Sequence, residues 1–221
     1  MSTRRESNKY YFSVEGETER WYLEWLRGVI NESPNAKYNV SLDCKIQKDP
    51  KKYVKGLTVV GEPRLVHVFD RESEETIHAE QFTTALRRMK EATKLGKRVT
   101  YQLGYSNFAF ELWLVLHKTD CNGAKNHRKD YLDPINRAYG EKFENLDQFK
   151  HEDNFKRVLK KLSLDDVRDA IQRSKAIMQR NEDAGYTLRE ESGYKYYAEN
   201  PSLSLWVHIE KILKECGLEE Q

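Results

Sequence analysis

Residues 9–19 read KYYFSVEGETE, and this stretch decides the fold. Residues 9–14 are rich in aromatic and β-branched side chains, a composition typical of a buried strand. Gly16 interrupts the run. From residue 17 to residue 30 the apolar side chains then recur at helical spacing, with acidic residues in the first turn. A buried strand followed at once by an amphipathic helix predicts the first unit of an α/β sheet.

The same alternation continues through the first half of the chain. Further strands are predicted over residues 39–47, 64–69 and 98–103, and helices over 73–95 and 108–117, the last with an N-cap at Ser106-Asn107. Alternating strands and helices favour a mostly parallel sheet with helices on its faces. We therefore predict an α/β core over residues 8–118.

From about Gly123 the sequence pattern changes. A loop is followed by helical patterns and by no strand signal, the helices being predicted over residues 131–139, 146–162, 164–180 and 203–216. Residues 119–221 therefore form a helical C-terminal region, which we expect to pack on the core. The pattern is also compatible with a separate domain.

Composition excludes several classes of protein. The 221 residues include 11% aromatic side chains, which a fully disordered chain would lack. With 38 Lys and Arg against 36 Asp and Glu, the net charge is only +2, which excludes nucleic-acid binding through the overall charge of the protein. The three cysteines, Cys44, Cys121 and Cys216, are too far apart for a thiolate zinc pattern. Because the apolar runs are short, we expect a cytoplasmic protein with no membrane partner.

Acidic residues follow two of the predicted strands. Glu15 ends the first strand and Glu19 lies in the next helical turn, whereas Asp70 and Glu72 end a second strand. Carboxyl ends of parallel strands meet at one edge of a sheet, where ligands bind, and residues i and i+2 of an extended chain point the same way. Carboxylates in this arrangement suit Mg²⁺ or Mn²⁺. The alternatives are charges that complement the helix dipole and a strand that runs out into solvent.

A third acidic residue is isolated in apolar sequence. Glu111 is the only charge in the otherwise apolar decapeptide 108–117, and a carboxylate in such surroundings needs a partner. We expect it to support the metal site rather than to lie on the surface. His117 is a candidate for the same supporting role, with an ordinary C-terminal helix histidine as the alternative.

Basic residues cluster on two predicted helices. Arg87 and Arg88 form one group, and Lys156, Arg157 and Lys160 form another. They are candidates for phosphate contacts in a nucleic-acid interface, with a solvated helix face as the alternative. The sequence contains no G-x-x-x-x-G-K-[ST] loop, so it has no recognisable nucleotide-phosphate cradle of its own.

Taken together, these motifs resemble the RloB family. The resemblance rests on FSVEGETE (12–19), VFDRE (68–72), the run from Ser106-Asn107 to His117, and Glu199-Asn200-Pro201-Ser202 before a terminal helix. It spans about residues 9–213. It implies a Toprim-like core similar to the nuclease domain of OLD-type defence proteins. Members of the family often neighbour an ATPase in phage-resistance loci.

The resemblance implies roles for the acidic residues. Glu15 would be the acidic residue of the glycine turn and Glu19 its neighbour in the metal site. Asp70 and Glu72 would fill the two acidic positions of the family's D-x-D strand end, with Glu72 in place of the second aspartate. Phe108 stands where the family often has proline. Glu15, Asp70 and Glu72 are then the expected catalytic residues, and Glu15 would be the general acid or base because its acidic neighbours raise its proton affinity.

The resulting prediction is a Mg²⁺- or Mn²⁺-dependent nuclease. It would hydrolyse phosphodiesters of DNA or RNA, with tRNA among the candidates, as the effector of an anti-phage system with an ATPase partner. The alternative is a non-catalytic regulatory subunit of an ATPase complex. Aromatic residues near the C-terminus, namely Tyr194, Tyr196, Tyr197 and Trp206, are a candidate partner or homo-oligomer surface. Packing of these rings onto their own domain is the alternative.

Overall fold

The computed structural model describes residues 5–59 and 61–219. Within these residues the chain forms seven strands, nine α-helices and a 3₁₀ turn over Arg128–Tyr131. The strands are β1 (Ser7–Val14), β2 (Asn39–Ile46), β3 (Arg64–Asp70), β4 (Thr100–Asn107), β5 (Leu188–Glu191), β6 (Tyr194–Tyr197) and β7 (Ser202–Leu203). The helices are α1 (Glu17–Glu32), α2 (Pro50–Gly56), α3 (Thr76–Ala92), α4 (Glu111–Leu116), α5 (Leu132–Tyr139), α6 (Leu146–Lys150), α7 (Glu152–Leu159), α8 (Leu164–Asp183) and α9 (Leu205–Glu215).

Five strands form the central sheet in the order β2-β1-β3-β4-β7. The first four are parallel and β7 is antiparallel, so the predicted α/β fold with a mostly parallel sheet is confirmed. In β1 and β3, Val14 lies opposite Val68, so both strands end at the same edge of the sheet. Because of this register, Glu15, which follows Val14, and Asp70, which follows Phe69, come together at that edge.

Alternating side chains of the strands serve two core layers. Phe12 and Val66 point into the larger layer, which also contains buried residues of α1, α4, α5 and α7 to α9. Tyr11 and Leu65 point into the smaller layer, against α2 and α3. The predicted helical C-terminal region therefore packs on one face of the sheet, whereas α3 covers the other face.

Two local predictions were wrong, and one helix was missed. The helix predicted over 146–162 is two helices, because His151 adopts extended backbone between α6 and α7. The helix predicted over 108–117 begins at Glu111, and Ser106-Asn107 belong to β4 instead of forming its N-cap. Helix α2 was not predicted, although Asp49 caps it and Pro50 occupies its first position, which is the usual signal of a helix start.

The second half of the chain contains strands that the sequence pattern does not show. Two-residue β7 pairs with the end of β4, and the Asn107 side chain donates hydrogen bonds to the carbonyls of Ala198 and Glu199, at 2.8 and 2.9 Å. Strands β5 and β6 form a separate hairpin. Each of these three strands is too short to give a periodic signal. The C-terminal region thus completes the sheet as well as covering it.

The C-terminal aromatic residues are used largely within the fold. Tyr196 and Tyr197 are buried, and the Tyr196 ring lies 4.9 Å from that of Phe82. Trp206 packs against the core, and its Nε1 donates to the carbonyl of Leu203. Packing within the same chain, the alternative to a partner surface, is therefore what the structure shows for these three rings. Among the described residues, none of the helices is long and apolar enough to cross a membrane.

We predict that Phe155→Ala destabilises the whole protein in one cooperative step. Phe155 of α7 is fully buried and its ring contacts Trp21 of α1 and Phe149 of α6. Its truncation should cost about 3–5 kcal/mol of unfolding free energy, measured by urea denaturation. Ile77→Ala, at an exposed position of α3, is the control and should change stability by less than about 0.5 kcal/mol. Two separate transitions in either protein would contradict a C-terminal region integrated with the core.

Candidate active site at the carboxyl edge of the sheet

Glu15 and Asp70 meet where β1 and β3 end. The carboxylate of Glu15 accepts a hydrogen bond from the backbone N–H of Asp70 at 3.3 Å. The carboxylate of Asp70 in turn accepts from the backbone N–H of Phe110, at 3.1 Å, just before α4. The parallel register therefore places two of the predicted acidic residues side by side, with the start of α4 beside them.

Two further carboxylates are buried next to this pair. Glu19 of α1 is 5% exposed and accepts a hydrogen bond from the Thr18 hydroxyl. Glu111 of α4 is 1% exposed, so it is buried as predicted. Its Oε1 lies 2.8 Å from the ammonium of Lys150 in α6, and its Oε2 has no hydrogen-bond partner within the described part of the chain.

Acidic side chains outnumber ammonium groups at this edge of the sheet. Burial raises the pKa of Glu15 to about 7 and raises the pKa values of Glu19 and Asp70, and repulsion between neighbouring carboxylates adds to each shift. Burial works to lower the pKa of Lys150, but its hydrogen bond to Glu111 and attraction to Glu111, Asp70 and Glu19 together outweigh burial, so the pKa is raised and this lysine stays charged. The predicted rise in the proton affinity of Glu15 is thus present, but its main cause is desolvation rather than its acidic neighbours.

Glu72 is oriented differently from the sequence prediction. Strand β3 ends at Asp70, and Glu72 adopts left-handed backbone with φ 60°, with its N–H donating to the Phe108 carbonyl at 2.9 Å. The extended geometry that was expected to align Asp70 and Glu72 is therefore absent. The Glu72 carboxylate lies 3.3 Å from His78 and 3.4 Å from Arg128. Left-handed backbone is unusual outside glycine and often marks functional sites.

A cavity of about 280 Å³ opens over this edge. Glu15, Asp70 and Glu72 line it, together with His78 and Lys48. Sequence reasoning did not single out His78, Lys48 or Lys150. No signal in the sequence distinguishes Lys150 from the other lysines, because its importance comes only from the tertiary contact with Glu111.

His117 does not contact the carboxylates. Its Nδ1 donates to the Trp113 carbonyl at 2.8 Å, its Nε2 lies 3.1 Å from the Tyr22 hydroxyl, and the ring is fully buried. Burial lowers the pKa of His117 to about 4, so the ring is neutral. These contacts place it in the core, and they do not support a role beside the metal site.

The basic residues predicted to bind nucleic acid lie on two helices. Arg87 and Arg88 are on α3, and Lys156 and Arg157 are on α7 with Lys160 just after it. These helices pack on opposite faces of the sheet. Arg88 pairs with Asp49, Lys156 with Glu152 and Arg157 with Glu141. A nucleic-acid contact by this set stays a prediction.

The donor chemistry at the edge suits a hard divalent cation. Among the described residues, no three His, Cys, Asp or Glu side chains are arranged so that they could hold one metal ion. Mg²⁺ needs no such cage, because it keeps several waters and binds through one or two carboxylates. The carboxyl groups of Glu15 and Asp70 line the same cavity and repel each other, and the Glu111 Oε2, which has no hydrogen-bond partner among the described residues, adds an oxygen donor nearby. The ligand set Glu15, Glu19, Asp70 and Glu72 stays a prediction.

Comparison with known proteins identifies one family. The model of the family described as RloB-like protein matches residues 10–212. No curated protein and no solved structure matches the chain.

We predict that Glu15 makes stability pH-dependent in the presence of a chelator. Its pKa is about 7 in the folded state against 4.5 as the ordinary value. Between these pH values the folded protein holds a proton that the unfolded chain has lost, so the unfolding free energy falls as the pH rises. Urea denaturation at several pH values should show a smaller fall for Glu15→Gln than for the wild type. An equal fall would refute the shifted pKa, and Glu17→Gln, at an exposed position, is the control.

We predict that Lys150→Met is destabilising because it leaves the buried Glu111 carboxylate unpaired. The Lys150 side chain is 35% exposed, so the loss should be about 2–3 kcal/mol, below the full value for a buried pair. Adding Glu111→Gln should recover more than half of it, as measured by urea denaturation. Lys156→Met removes an exposed ion pair with Glu152 and should cost less than about 0.5 kcal/mol. Equal effects of the two lysine substitutions would mean that the Lys150 pair is an ordinary surface contact.

Proposed function

The chain belongs to the RloB-like protein family, and from this premise we propose that it is a metal-dependent nuclease that hydrolyses nucleic-acid phosphodiesters. The observation that carries the proposal is that the Glu15 carboxylate accepts a hydrogen bond from the backbone N–H of Asp70, so that both acidic side chains line one cavity at the carboxyl edge of the sheet. Ligands of open α/β sheets bind at this edge. Buried carboxylates in excess over cations support a divalent ion as the missing counter-charge.

The residues of the site have separable roles in this reaction. Bound Mg²⁺ would polarise the phosphorus and supply an activated water. Asp70 and Glu15 would hold the ion, with Asp70 kept in place by the Phe110 N–H. In the metal-free protein Glu15 has a pKa of about 7, so it can accept and release a proton near neutral pH, and it would act as general acid or base where Asp70 alone holds the ion. Glu111 holds the Lys150 ammonium near the carboxyl groups of Glu19 and Asp70.

We also propose that the protein acts as the effector of an anti-phage system under the control of an ATPase partner. The sequence has no phosphate-binding loop with which to couple to nucleotide hydrolysis, and a free nuclease would damage its host. Co-expression with the product of the neighbouring gene, followed by size-exclusion chromatography, tests this. A chain that elutes alone and cuts nucleic acid at full rate without a partner would contradict the control by an ATPase; self-association would appear as a larger species without the partner.

The alternative proposal is that the protein is a non-catalytic regulatory subunit of an ATPase complex. It is favoured by one observation: within the described residues, no three ligating side chains converge as a cage for a metal ion. The two functions differ in whether purified protein cleaves any nucleic acid when Mg²⁺ or Mn²⁺ is added. They share the fold, so only the chemistry of the site separates them.

We predict that Glu15→Gln and Asp70→Asn each lower nuclease activity by about 10²- to 10⁴-fold without loss of fold. Plasmid, single-stranded DNA and tRNA are incubated with Mg²⁺, Mn²⁺ or chelator, and cleavage is followed on gels. Glu17→Gln is the matched control, since Glu17 is an exposed glutamate two residues after Glu15, in the first turn of α1, and pairs with Arg20. Wild-type protein that cuts none of the substrates with either metal would overturn the nuclease proposal. Equal cleavage by the Asp70 variant would overturn the assignment of the site.

A further inference from the structure

A second cavity, of about 620 Å³, lies beside the carboxylates. Three cations line it: Arg128 and Lys129 on the 3₁₀ turn, and Lys150 at the end of α6. Two of them also contact the candidate active site, because Lys150 pairs with Glu111 at 2.8 Å and Arg128 pairs with Glu72 at 3.4 Å. These two side chains therefore connect the cavity to acidic residues of the candidate site.

The cations of this cavity are available to a ligand. Lys129 is exposed and forms no ion pair within residues 5–59 and 61–219. The side chains of Arg128 and Lys150 keep 46% and 35% of their surface exposed despite their ion pairs. Glu144 and Asp147 also line the cavity, so cations outnumber carboxylates there by three to two. Asp147 lies in the first turn of α6 and Lys150 at its last residue, so the two signs occupy different ends of this short helix.

We propose that this cavity binds the backbone phosphates of a single nucleic-acid strand, next to the phosphodiester presented to Glu15 and Asp70. The inference rests on the proposed nuclease function and deepens it by assigning where the substrate is held. A carboxylate-rich edge repels a polyanion, so the strand needs cations beside the edge rather than within it. Arg128 and Lys150 stand at that boundary, each held by a carboxylate of the site.

The roles within the cavity follow from the contacts. Lys129 contacts phosphate only, because no protein carboxylate engages it among the described residues. Glu111 is a positioning residue, which fixes the Lys150 ammonium between the buried carboxylates and the cavity. The leucine side chains of the lining, Leu132 and Leu146, give the sugar an apolar contact. The cations of this cavity are not the basic residues of α3 and α7 that the sequence predicted to bind nucleic acid. Those two helices lie on opposite faces of the sheet.

The test is strand binding in the presence of a chelator, where no cleavage takes place. A short labelled single strand is titrated with full-length protein and followed by fluorescence anisotropy over a series of salt concentrations. Lys129→Ala should weaken binding about tenfold and reduce the slope of log K against log salt by about 0.7. Lys129→Arg should keep most of the affinity. Lys214→Ala, an exposed lysine of α9, is the control and should bind like the wild type.

The outcomes separate this inference from the proposed function. Unchanged binding by Lys129→Ala overturns the cavity assignment, even if the wild type cuts nucleic acid. Loss of binding in Lys129→Ala, with no cleavage by the wild type under any metal, supports the cavity and overturns the nuclease. Competition by inorganic phosphate as tight as that by the strand would overturn the assignment to a polymer. Equally tight binding of a duplex would overturn the assignment to a single strand.

Discussion

The ion pair between Lys150 and Glu111 is the interaction on which the candidate site depends. It links the helical C-terminal region to the carboxyl edge of the sheet at the buried carboxylates, because α6 supplies the ammonium and α4 the carboxylate. Glu19 and Asp70 have raised pKa values beside it, since burial disfavours their charged forms and their mutual repulsion adds to the effect. Two ammonium groups, those of Lys150 and Lys48, face a larger number of acidic side chains at this edge. The site is built around an excess of carboxyl groups over cations, and carboxylate oxygens are the ligands that a hard cation prefers.

The geometry of that edge follows from the parallel pairing of β1 and β3. Their register ends both strands together, so Glu15 can accept a hydrogen bond from the backbone of Asp70. The C-terminal region then closes the arrangement from one side, since β7 pairs with β4 and Arg71 donates to the carbonyl of Ala198 at 2.6 Å. Removal of that region would expose the carboxylates to solvent and take away the ammonium of Lys150. The two halves of the chain therefore build one site.

The sequence predicted those parts of the fold that local pattern determines. Strongly apolar β1 and β3 and the turn at Gly16 were enough to place Glu15 and Asp70 at one edge, because parallel strands end together. The isolation of Glu111 in apolar sequence correctly indicated its burial. The orientation of Glu72 could not be predicted, because it depends on left-handed backbone that is held by the Phe108 carbonyl. The role of Lys150 could not be predicted either, because only its tertiary contact with Glu111 distinguishes it from other lysines.

The central claim is that the Glu15–Asp70 edge binds one divalent cation. Mn²⁺ titration followed by electron paramagnetic resonance tests it most directly, because the signal of free Mn²⁺ decreases when the ion binds. The account predicts one bound ion per chain in the wild type and in Glu17→Gln, and none in Asp70→Asn at the same concentrations. Binding by Asp70→Asn as tight as by the wild type, or the absence of bound ion in the wild type, would contradict it.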